Sequence, residues 1–233
     1  MLLPGKQALQ LLEEALTPCI PFTFPPRAVL FDEGEAATHF FWLRSGVVKL
    51  VRTGPNGSPH LFTVIGRPRP VGLADLFRGT FSARAEALTP VEACRIERAR
   101  VLELMQQHAF IFQALTRKLD LEFRRLEERA RRLQFCPPPC RLAHTLRDLA
   151  QELGLQPDGS LLLPITREEL ASLADLSQRT LSEALRTLEH EGLLQKLGPR
   201  RLRLHPDRLA VWLQQQRALF FPPLTGTRSE SMQ

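Results

Sequence analysis

Residues 165–189, ITREELASLADLSQRTLSEALRTLE, carry the start signals of two short helices. Thr166, followed three residues later by Glu169, forms a capping-box pattern, which begins a helix at a defined residue. Ser177 is a favourable N-cap for a second helix, and only a short turn separates the two. The stretch therefore predicts two short helices joined by a tight turn, the arrangement of a helix–turn–helix.

The second predicted helix has one apolar face, formed by leucine and alanine, and one polar face. An α-helix fits the major groove of DNA, where such polar side chains distinguish the base edges. The predicted base-reading residues are Gln178, Arg179, Ser182, Glu183 and Arg186. A polar face that is only solvated is the alternative. An ion pair between Arg179 and Glu183, four residues apart, can coexist with base contact.

A hairpin with a basic tip is predicted after Gly192, at residues 193–204. Such a wing places cations beside DNA phosphates. The predicted phosphate contacts are the helix-start hydroxyls and the wing cations: Thr166, Ser177, Thr180, Lys196, Arg200 and Arg201. The residues thus predict a winged helix–turn–helix that binds double-stranded DNA.

The composition excludes several classes of protein. With 233 residues, 43% of them hydrophobic, the chain can form one large or two modest soluble domains. The net charge of +6 permits a polyanionic partner without proving one. No apolar run approaches the roughly 18 residues of a membrane span, and no secretory signal is present, so we expect a cytoplasmic protein with free thiols and no membrane partner. Catalytic motifs are absent, which argues against an enzyme.

The remaining chain predicts an α+β protein. Residues 6–16 form a helical pattern, and residues 20–97 alternate β-favouring runs with turn signals, as in an antiparallel, jelly-roll-type β-roll. Prolines 137–139 predict a stiff, extended connector, because a residue before proline avoids the helical region. The predicted parts are the N-terminal helix and β-roll at 1–108, a dimerisation helix at 109–134, a hinge at 135–140, the winged helix domain at 141–213 and a flexible tail at 214–233.

The predicted long helix has a narrow apolar seam with the four- and three-residue steps of a coiled coil. The seam contains Leu115, Leu119, Phe123, Leu126, Ala130 and Leu133. It could pack on the β-roll of its own chain or pair with a second copy. The charged residues around it favour the homodimer, because they suit a narrow contact between two helices.

The order of a β-rich domain, a long helix, a hinge and a winged helix resembles the CRP/FNR family of bacterial transcription regulators. The resemblance covers about residues 10–212 and is strongest at 165–189, in FDEGE at 31–35 and in LRSGVVKL at 43–50. It implies a cyclic-nucleotide-binding-like sensor domain and a homodimer that reads a near-palindrome, with half-sites about 34 Å apart. It also implies activation through contact with RNA polymerase, although repression stays open.

The chain departs from the cyclic-nucleotide members of this family at their binding cassette. Leu73 stands where those members have a ribose-binding Glu, and Phe81, before Ser82, where they have a phosphate-binding Arg. A buried phosphate needs a paired cation, and the nearby Arg84 is two or three positions away from the Arg position. We therefore predict that Leu73, Phe81 and Ser82 form a degenerate effector pocket and that cAMP is not needed. A cAMP-responsive regulator is an alternative.

The recognition helix also departs from the family. Many members have Glu and, four residues later, Arg at the base-reading positions, whereas this chain has Arg179 and then Glu183. Arg prefers the acceptors of guanine and Glu accepts from the cytosine amino group, so the exchange predicts a different half-site.

The four cysteines suggest a second kind of sensor. Cys94 stands where the oxygen-sensing branch of the family places a cluster ligand, and Cys19, Cys136 and Cys140 could complete four thiolates for an iron–sulfur cluster. An extended connector, however, would separate the two hinge cysteines by about 12 Å. We therefore predict no cofactor and no metal, with an iron–sulfur cluster or a redox thiol as the alternatives.

Overall fold

The computed structural model describes residue 19 and residues 21–66, 69–107 and 109–220. The predicted N-terminal helix at 6–16 and residues 221–233 of the predicted tail lie outside these ranges. No helix within them combines the length and apolar character needed to cross a bilayer.

The N-terminal domain is built from two four-stranded antiparallel sheets. The first has the spatial order β1 (Pro21–Phe24), β8 (Val91–Glu97), β3 (His39–Ser45) and β6 (Arg69–Val71). The second has the order β2 (Val29–Phe31), β7 (Arg84–Ala87), β4 (Val47–Thr53) and β5 (Pro59–Gly66). Buried residues of both sheets, including Leu43, Val48 and Ala85, form one core between them. The predicted antiparallel β-roll is confirmed.

Two helices, α2 (Arg98–Gln107) and α3 (Ala109–Phe135), follow the sheets, and a short helix, α1 (Asp75–Arg78), lies between β6 and β7. The first turns of α3 are buried in a core that α2 and the first sheet share. Beyond this core most of the side chains of α3 are exposed. The helix is therefore anchored in the core of the N-terminal domain by its first turns, and near its other end Arg129 Nη1 donates to the Phe62 carbonyl of β5 at 2.6 Å.

The C-terminal domain is mainly helical and has a small three-stranded sheet. Its elements are α4 (Pro138–Leu153), β9 (Ser160–Leu162), α5 (Arg167–Leu173), α6 (Gln178–His190), β10 (Leu194–Gly198), β11 (Arg201–Leu204) and α7 (Pro206–Phe220). The strands pair in the order β10–β11–β9. Leucines of α4 and α6 fill its core, including Leu142, Leu146, Leu181 and Leu188.

Two predicted boundaries differ from the observed ones. Residues 138–140, predicted as extended connector, belong to α4, because proline fits the first turn of a helix, where its missing N–H needs no partner. Residues 214–220, predicted as tail, continue α7. Trp212 and Leu213 pack that helix against the C-terminal core, which fixes it to the domain.

Candidate nucleic-acid interface

The first helix of the predicted helix–turn–helix begins at the predicted capping box. The Glu169 backbone N–H donates to Thr166 Oγ1 at 3.1 Å, and the Thr166 N–H donates to Glu169 Oε2 at 2.7 Å. At the second helix, the Thr180 N–H donates to Ser177 Oγ at 3.1 Å, as an N-cap requires. Both start signals are confirmed, and the hydroxyls of Thr166 and Ser177 are used in capping.

The turn between α5 and α6 depends on Asp175. This residue has a φ of 54°, in the left-handed region that aspartate tolerates better than most residues. Its carboxylate accepts a hydrogen bond from Arg129 Nη2 at 3.0 Å, so α3 holds the turn from outside the C-terminal domain. The tight turn points the apolar face of α6 into the core and leaves its other face exposed.

The predicted base-reading residues share that exposed face, with one exception. Gln178, Arg179, Glu183 and Arg186 are exposed, and the side chain of Arg179 is 90% accessible. Arg179 Nε lies 3.1 Å from Glu183 Oε1, so the ion pair considered above is present. Ser182 is the exception: it is half-buried. Its Oγ donates to the Gln178 carbonyl and accepts from the Arg167 guanidinium. The face thus offers donors and acceptors to solvent, with Arg179 and Glu183 paired to each other and Ser182 bonded to Arg167 of α5.

The predicted wing is the β10–β11 hairpin, with Arg200 exposed at its tip. Two of its cations have carboxylate partners that the sequence did not reveal. Lys196 Nζ lies 2.9 Å from Glu189 Oε2, and Arg201 Nη2 lies 2.7 Å from Asp158 Oδ2. These ion pairs offset the positive charge of Lys196 and Arg201, whereas Arg200 projects into solvent.

The apolar seam of α3 is largely exposed beyond the N-terminal core. Phe123 is 60% accessible, Leu126 and Leu133 are also exposed, and Ala130 lies between them. Leu119 is half-buried. Leu115, predicted as part of the seam, is instead 2% accessible inside the N-terminal core, because the first turns of α3 pack on their own domain. The exposed stripe therefore starts after Leu115.

Comparison with known proteins assigns each of the two domains to a family. Residues 21–108 match the cyclic nucleotide-binding domain family, and residues 140–212 match the Crp-like helix-turn-helix domain family. The CRP-like cAMP-activated global transcriptional regulator of Mycobacterium tuberculosis is 31% identical over 193 residues, which cover 82% of this chain and 86% of that protein. The chain belongs to the CRP-like family of transcriptional regulators. The predicted fold class and DNA-binding regulatory function are thereby confirmed, and the family consists of regulators rather than enzymes.

Two further relatives agree with this assignment. The cAMP-activated global transcriptional regulator CRP of Haemophilus influenzae is 27% identical over 187 residues, covering 78% of this chain and 83% of that protein. The structure of FixK2 from Bradyrhizobium japonicum has a TM-score of 0.73 and 20% identity, and covers 83% of this chain and 96% of that one, a likeness in fold. Regulators of the CRP-like family bind double-stranded DNA and form dimers.

In this CRP-like regulator the position of the phosphate-binding arginine lies in an aromatic core. The Phe81 ring stacks on Phe31 with centroids 3.7 Å apart, and both are buried. A Cβ built on Gly72 would lie 2.9 Å from the Phe81 ring, so the rings fill the space beside the cassette. Arg84 points elsewhere: it is exposed and 3.5 Å from Asp32. These residues do not fit a cyclic nucleotide phosphate, because the rings offer neither a cation nor a donor.

The cysteines of the regulator form two separate pairs, which corrects the predictions made for them. Cys19 and Cys94 are joined by a disulfide with Cα atoms 5.8 Å apart, so the expectation of free thiols is wrong for this pair. Strand β1 pairs with β8 and places Pro21 opposite Cys94, which brings Cys19 within reach. Cys136 and Cys140 are free and buried in the C-terminal core. The four residues therefore do not converge on one iron–sulfur cluster.

The hinge thiols are close together rather than about 12 Å apart. The ligand atoms of Cys136, Cys140 and His144 all lie within 4.8 Å of one another. Burial and, to a smaller extent, the hydrogen bond with Cys136 raise the pKa of the Cys140 thiol. The sequence interpretation missed His144, although the repeated four-residue step from Cys136 through Cys140 to His144 is visible in the chain.

Several polar contacts join the helix–turn–helix to the β domain. Lys49 Nζ, on β4, lies 2.8 Å from Glu169 Oε1 of the capping box and 3.1 Å from Glu86 Oε1. The Leu61 N–H, on β5, donates to Ser172 Oγ of α5 at 2.8 Å. Burial raises the pKa of Glu169, but the hydrogen bonds from Lys49 and the Thr166 N–H outweigh it and leave the pKa below its usual value. The position of α5 therefore depends on the N-terminal domain.

Proposed function

We propose that this CRP-like regulator acts as a homodimer that binds a near-palindromic DNA site and does not need cAMP. The observation that carries the proposal is the exposed polar face of α6, capped at Ser177 and held by its apolar face in the domain core. A capped, rigid helix with solvent-exposed donors and acceptors is the element that enters the major groove.

The roles of individual residues follow from the exposed surface. Base contacts are assigned to Gln178, Arg179, Ser182, Glu183 and Arg186, and phosphate contacts to Thr166, Ser177, Thr180, Lys196, Arg200 and Arg201. Arg179 suits the guanine acceptors, and Glu183 suits the amino group of cytosine. Among the wing cations Arg200 contributes most, because the other two already have carboxylate partners.

The homodimer forms through the exposed stripe of α3. Apolar side chains at this spacing exclude water by pairing with the same stripe of a second helix. The contacts are assigned to Leu119, Phe123, Leu126, Ala130 and Leu133. A two-fold pair presents two copies of α6, which matches half-sites one helical turn, about 34 Å, apart.

The β domain of this protein works without cAMP, although the Mycobacterium tuberculosis relative is named as cAMP-activated. The stacked rings of Phe31 and Phe81 support this part of the proposal. We further assign the regulator to the cytoplasm, with RNA polymerase as the partner through which it activates transcription. The parts act as a sensor-like domain, a dimerisation helix on α3 and a DNA-binding domain from α4 onward.

Selection of bound sequences from a random duplex library, with the full-length protein and no cAMP, tests this function. We expect an enriched inverted repeat that does not change when cAMP is added. An unenriched library, or a single unrepeated motif, would contradict DNA reading by a symmetric dimer. A motif that appears only with cAMP would contradict the effector part alone.

A further inference from the structure

The junction between α3 and α4 brings two buried thiols and a half-buried imidazole together. The Cys136 N–H donates to the Arg132 carbonyl at 2.9 Å, so Cys136 continues the last turn of α3. Cys140 lies in the first turn of α4, and His144 follows one turn later on the same face. We propose that Cys136, Cys140 and His144 form a binding site for one thiophilic metal ion, Zn²⁺ or Cu⁺.

The spacing of the three side chains suits such an ion. Their ligand atoms lie within 4.8 Å of one another. Two sulfur atoms bound to tetrahedral zinc lie about 3.8 Å apart, which follows from Zn–S bonds of about 2.3 Å. Only small side-chain adjustments are therefore needed for the three atoms to reach one ion.

The backbone between the thiols is already fixed in the necessary shape. Pro137 is extended, with φ −66° and ψ 163°, and Pro138 and Pro139 start α4 directly after it. Three successive prolines leave this corner little conformational freedom to lose on binding. A preorganised site keeps more of its interaction energy as affinity.

The chemistry of the donors selects the class of ion. Thiolates and imidazoles favour Zn²⁺ and Cu⁺ over Mg²⁺ and Ca²⁺, which prefer oxygen ligands. Cys140 is 1% and Cys136 7% accessible, so the bound group must be nearly neutral to be stable there. Two thiolates balance the charge of Zn²⁺ after their protons pass to solvent. With Cu⁺ the remaining negative charge faces Arg132 and Arg147, whose charges act on Cys140.

The charged residues around the three ligands are also held in place. Arg132 Nη1 and Arg147 Nη2 both contact Asp148, at 2.7 Å and 3.0 Å from its two carboxylate oxygens. This carboxylate keeps both cations beside the thiols. Two thiolates and one imidazole leave the fourth position of Zn²⁺ to water or an exchangeable ligand. The ion would join the end of α3 to the start of α4.

Metal analysis of the full-length protein tests the site without reference to DNA. The protein is purified anaerobically with a reductant, stripped with a chelator, incubated with Zn²⁺ or Cu⁺ in separate arms and desalted before elemental analysis. We expect one ion per chain in at least one arm, and a thiolate-to-metal charge-transfer band when Co²⁺ is used as the probe. Wild-type protein that retains no ion in either arm and shows no cobalt band overturns the proposal.

Variants locate the ion. Cys136→Ser, Cys140→Ser and His144→Gln should each weaken binding at least roughly tenfold, since one ligand of three is lost. The matched controls are Cys19→Ser/Cys94→Ser, which removes the other two cysteines, and His190→Gln, an exposed histidine of the same domain; both should bind as wild type. His144→Gln keeps both core thiols and so remains informative if a cysteine variant does not fold. Retention of the ion by all three ligand variants, or its loss only in Cys19→Ser/Cys94→Ser, would place the metal elsewhere.

Discussion

The helix–turn–helix at residues 165–189 and the binding cassette at residues 72–83 differ in how they compare with the pattern expected of the family. Residues 165–189 keep the capping box, the N-cap and an exposed polar face. At the cassette, Phe81 is stacked on Phe31 and Leu73 is buried in the core. The exposed polar face that we propose to read DNA is therefore present, whereas packed rings occupy the position at which we propose that no cyclic nucleotide phosphate is bound. The two segments lie in different domains, which the contacts of Lys49 with Glu169 and of Leu61 with Ser172 hold together.

The largest effect should come from breaking the pair that presents α6 twice. Phe123→Glu/Leu126→Glu puts charges on the exposed stripe of α3, and we expect a monomer that binds the selected duplex about 10³-fold or more weakly, at the non-specific level. Sedimentation and fluorescence anisotropy measure the two effects. Leu121→Glu, an exposed leucine on the opposite side of α3, is the control. If the double variant were still a dimer and bound DNA with normal affinity, the exposed stripe of α3 would not be the dimer interface.

Arg179→Ala tests the exposed polar face of α6. We expect a loss of about 1–3 kcal/mol for each half-site of the selected duplex, about 5- to 150-fold in affinity per half-site, with relaxed preference at one base pair of each half-site. Arg124→Ala is the matched control, because Arg124 is also exposed and also paired four residues away, with Asp120. Competition binding against single-base variants of the site provides the measurement. An equal loss on unrelated DNA would mean that Arg179 contacts phosphate only.

Glu169→Gln should weaken the contact between the two domains. Glutamine preserves the capping box but removes the ion pair with Lys49, so we expect the free energy of unfolding to fall by about 1 kcal/mol after solvent screening. Glu168→Gln, at the exposed neighbouring position, should change little. Thermal or urea unfolding of the three proteins measures the difference. Equal stabilities would show that the ion pair does not help to hold α5.

The same ion pair predicts a dependence on acid pH. The pKa of Glu169 lies below its ordinary 4.5 in the folded protein, so its contribution is present above that value and is lost as pH falls through the lowered pKa. Wild type should therefore lose its advantage over Glu169→Gln below about pH 4.5. Unfolding curves at several pH values test this. A difference that grows on acidification would have the wrong sign.

A smaller effect distinguishes Arg200 from Lys196. Arg200→Ala should reduce the slope of log affinity against log salt by about two units, because each chain of the homodimer loses about one phosphate contact. Lys196→Ala should reduce it less, since Lys196 already pairs with Glu189. Affinities at several salt concentrations give both slopes. Identical slopes in wild type and both variants would remove the wing from the interface.

Local signals in the sequence were enough to predict the helix–turn–helix. The capping box at Thr166 and the N-cap at Ser177 act within a few residues of themselves, so spacing reveals them. The alternation of strands and turns likewise predicted the β-roll. The long helix was also visible, although its period could not distinguish Leu115, which is buried at the base, from Phe123, which is exposed.

The spacing of residues along the sequence could not predict contacts between distant parts of the chain. The Cys19–Cys94 disulfide joins residues 75 apart in the chain, and the register of β1 on β8 creates it. Lys49 meets Glu169 across 120 residues. The hinge was misjudged for a different reason: consecutive prolines were interpreted as extended chain, whereas Pro138 and Pro139 start α4 and fold Cys140 back toward Cys136.

We propose that a rigid, symmetric pair of chains reads DNA twice, once with each copy of α6. The most direct test of this proposal inserts about five base pairs, half a helical turn, between the half-sites of the selected duplex. We predict that wild-type affinity falls to that of a duplex with a single half-site, because the second α6 then faces the wrong side of the DNA. Unchanged affinity after this insertion would contradict the account.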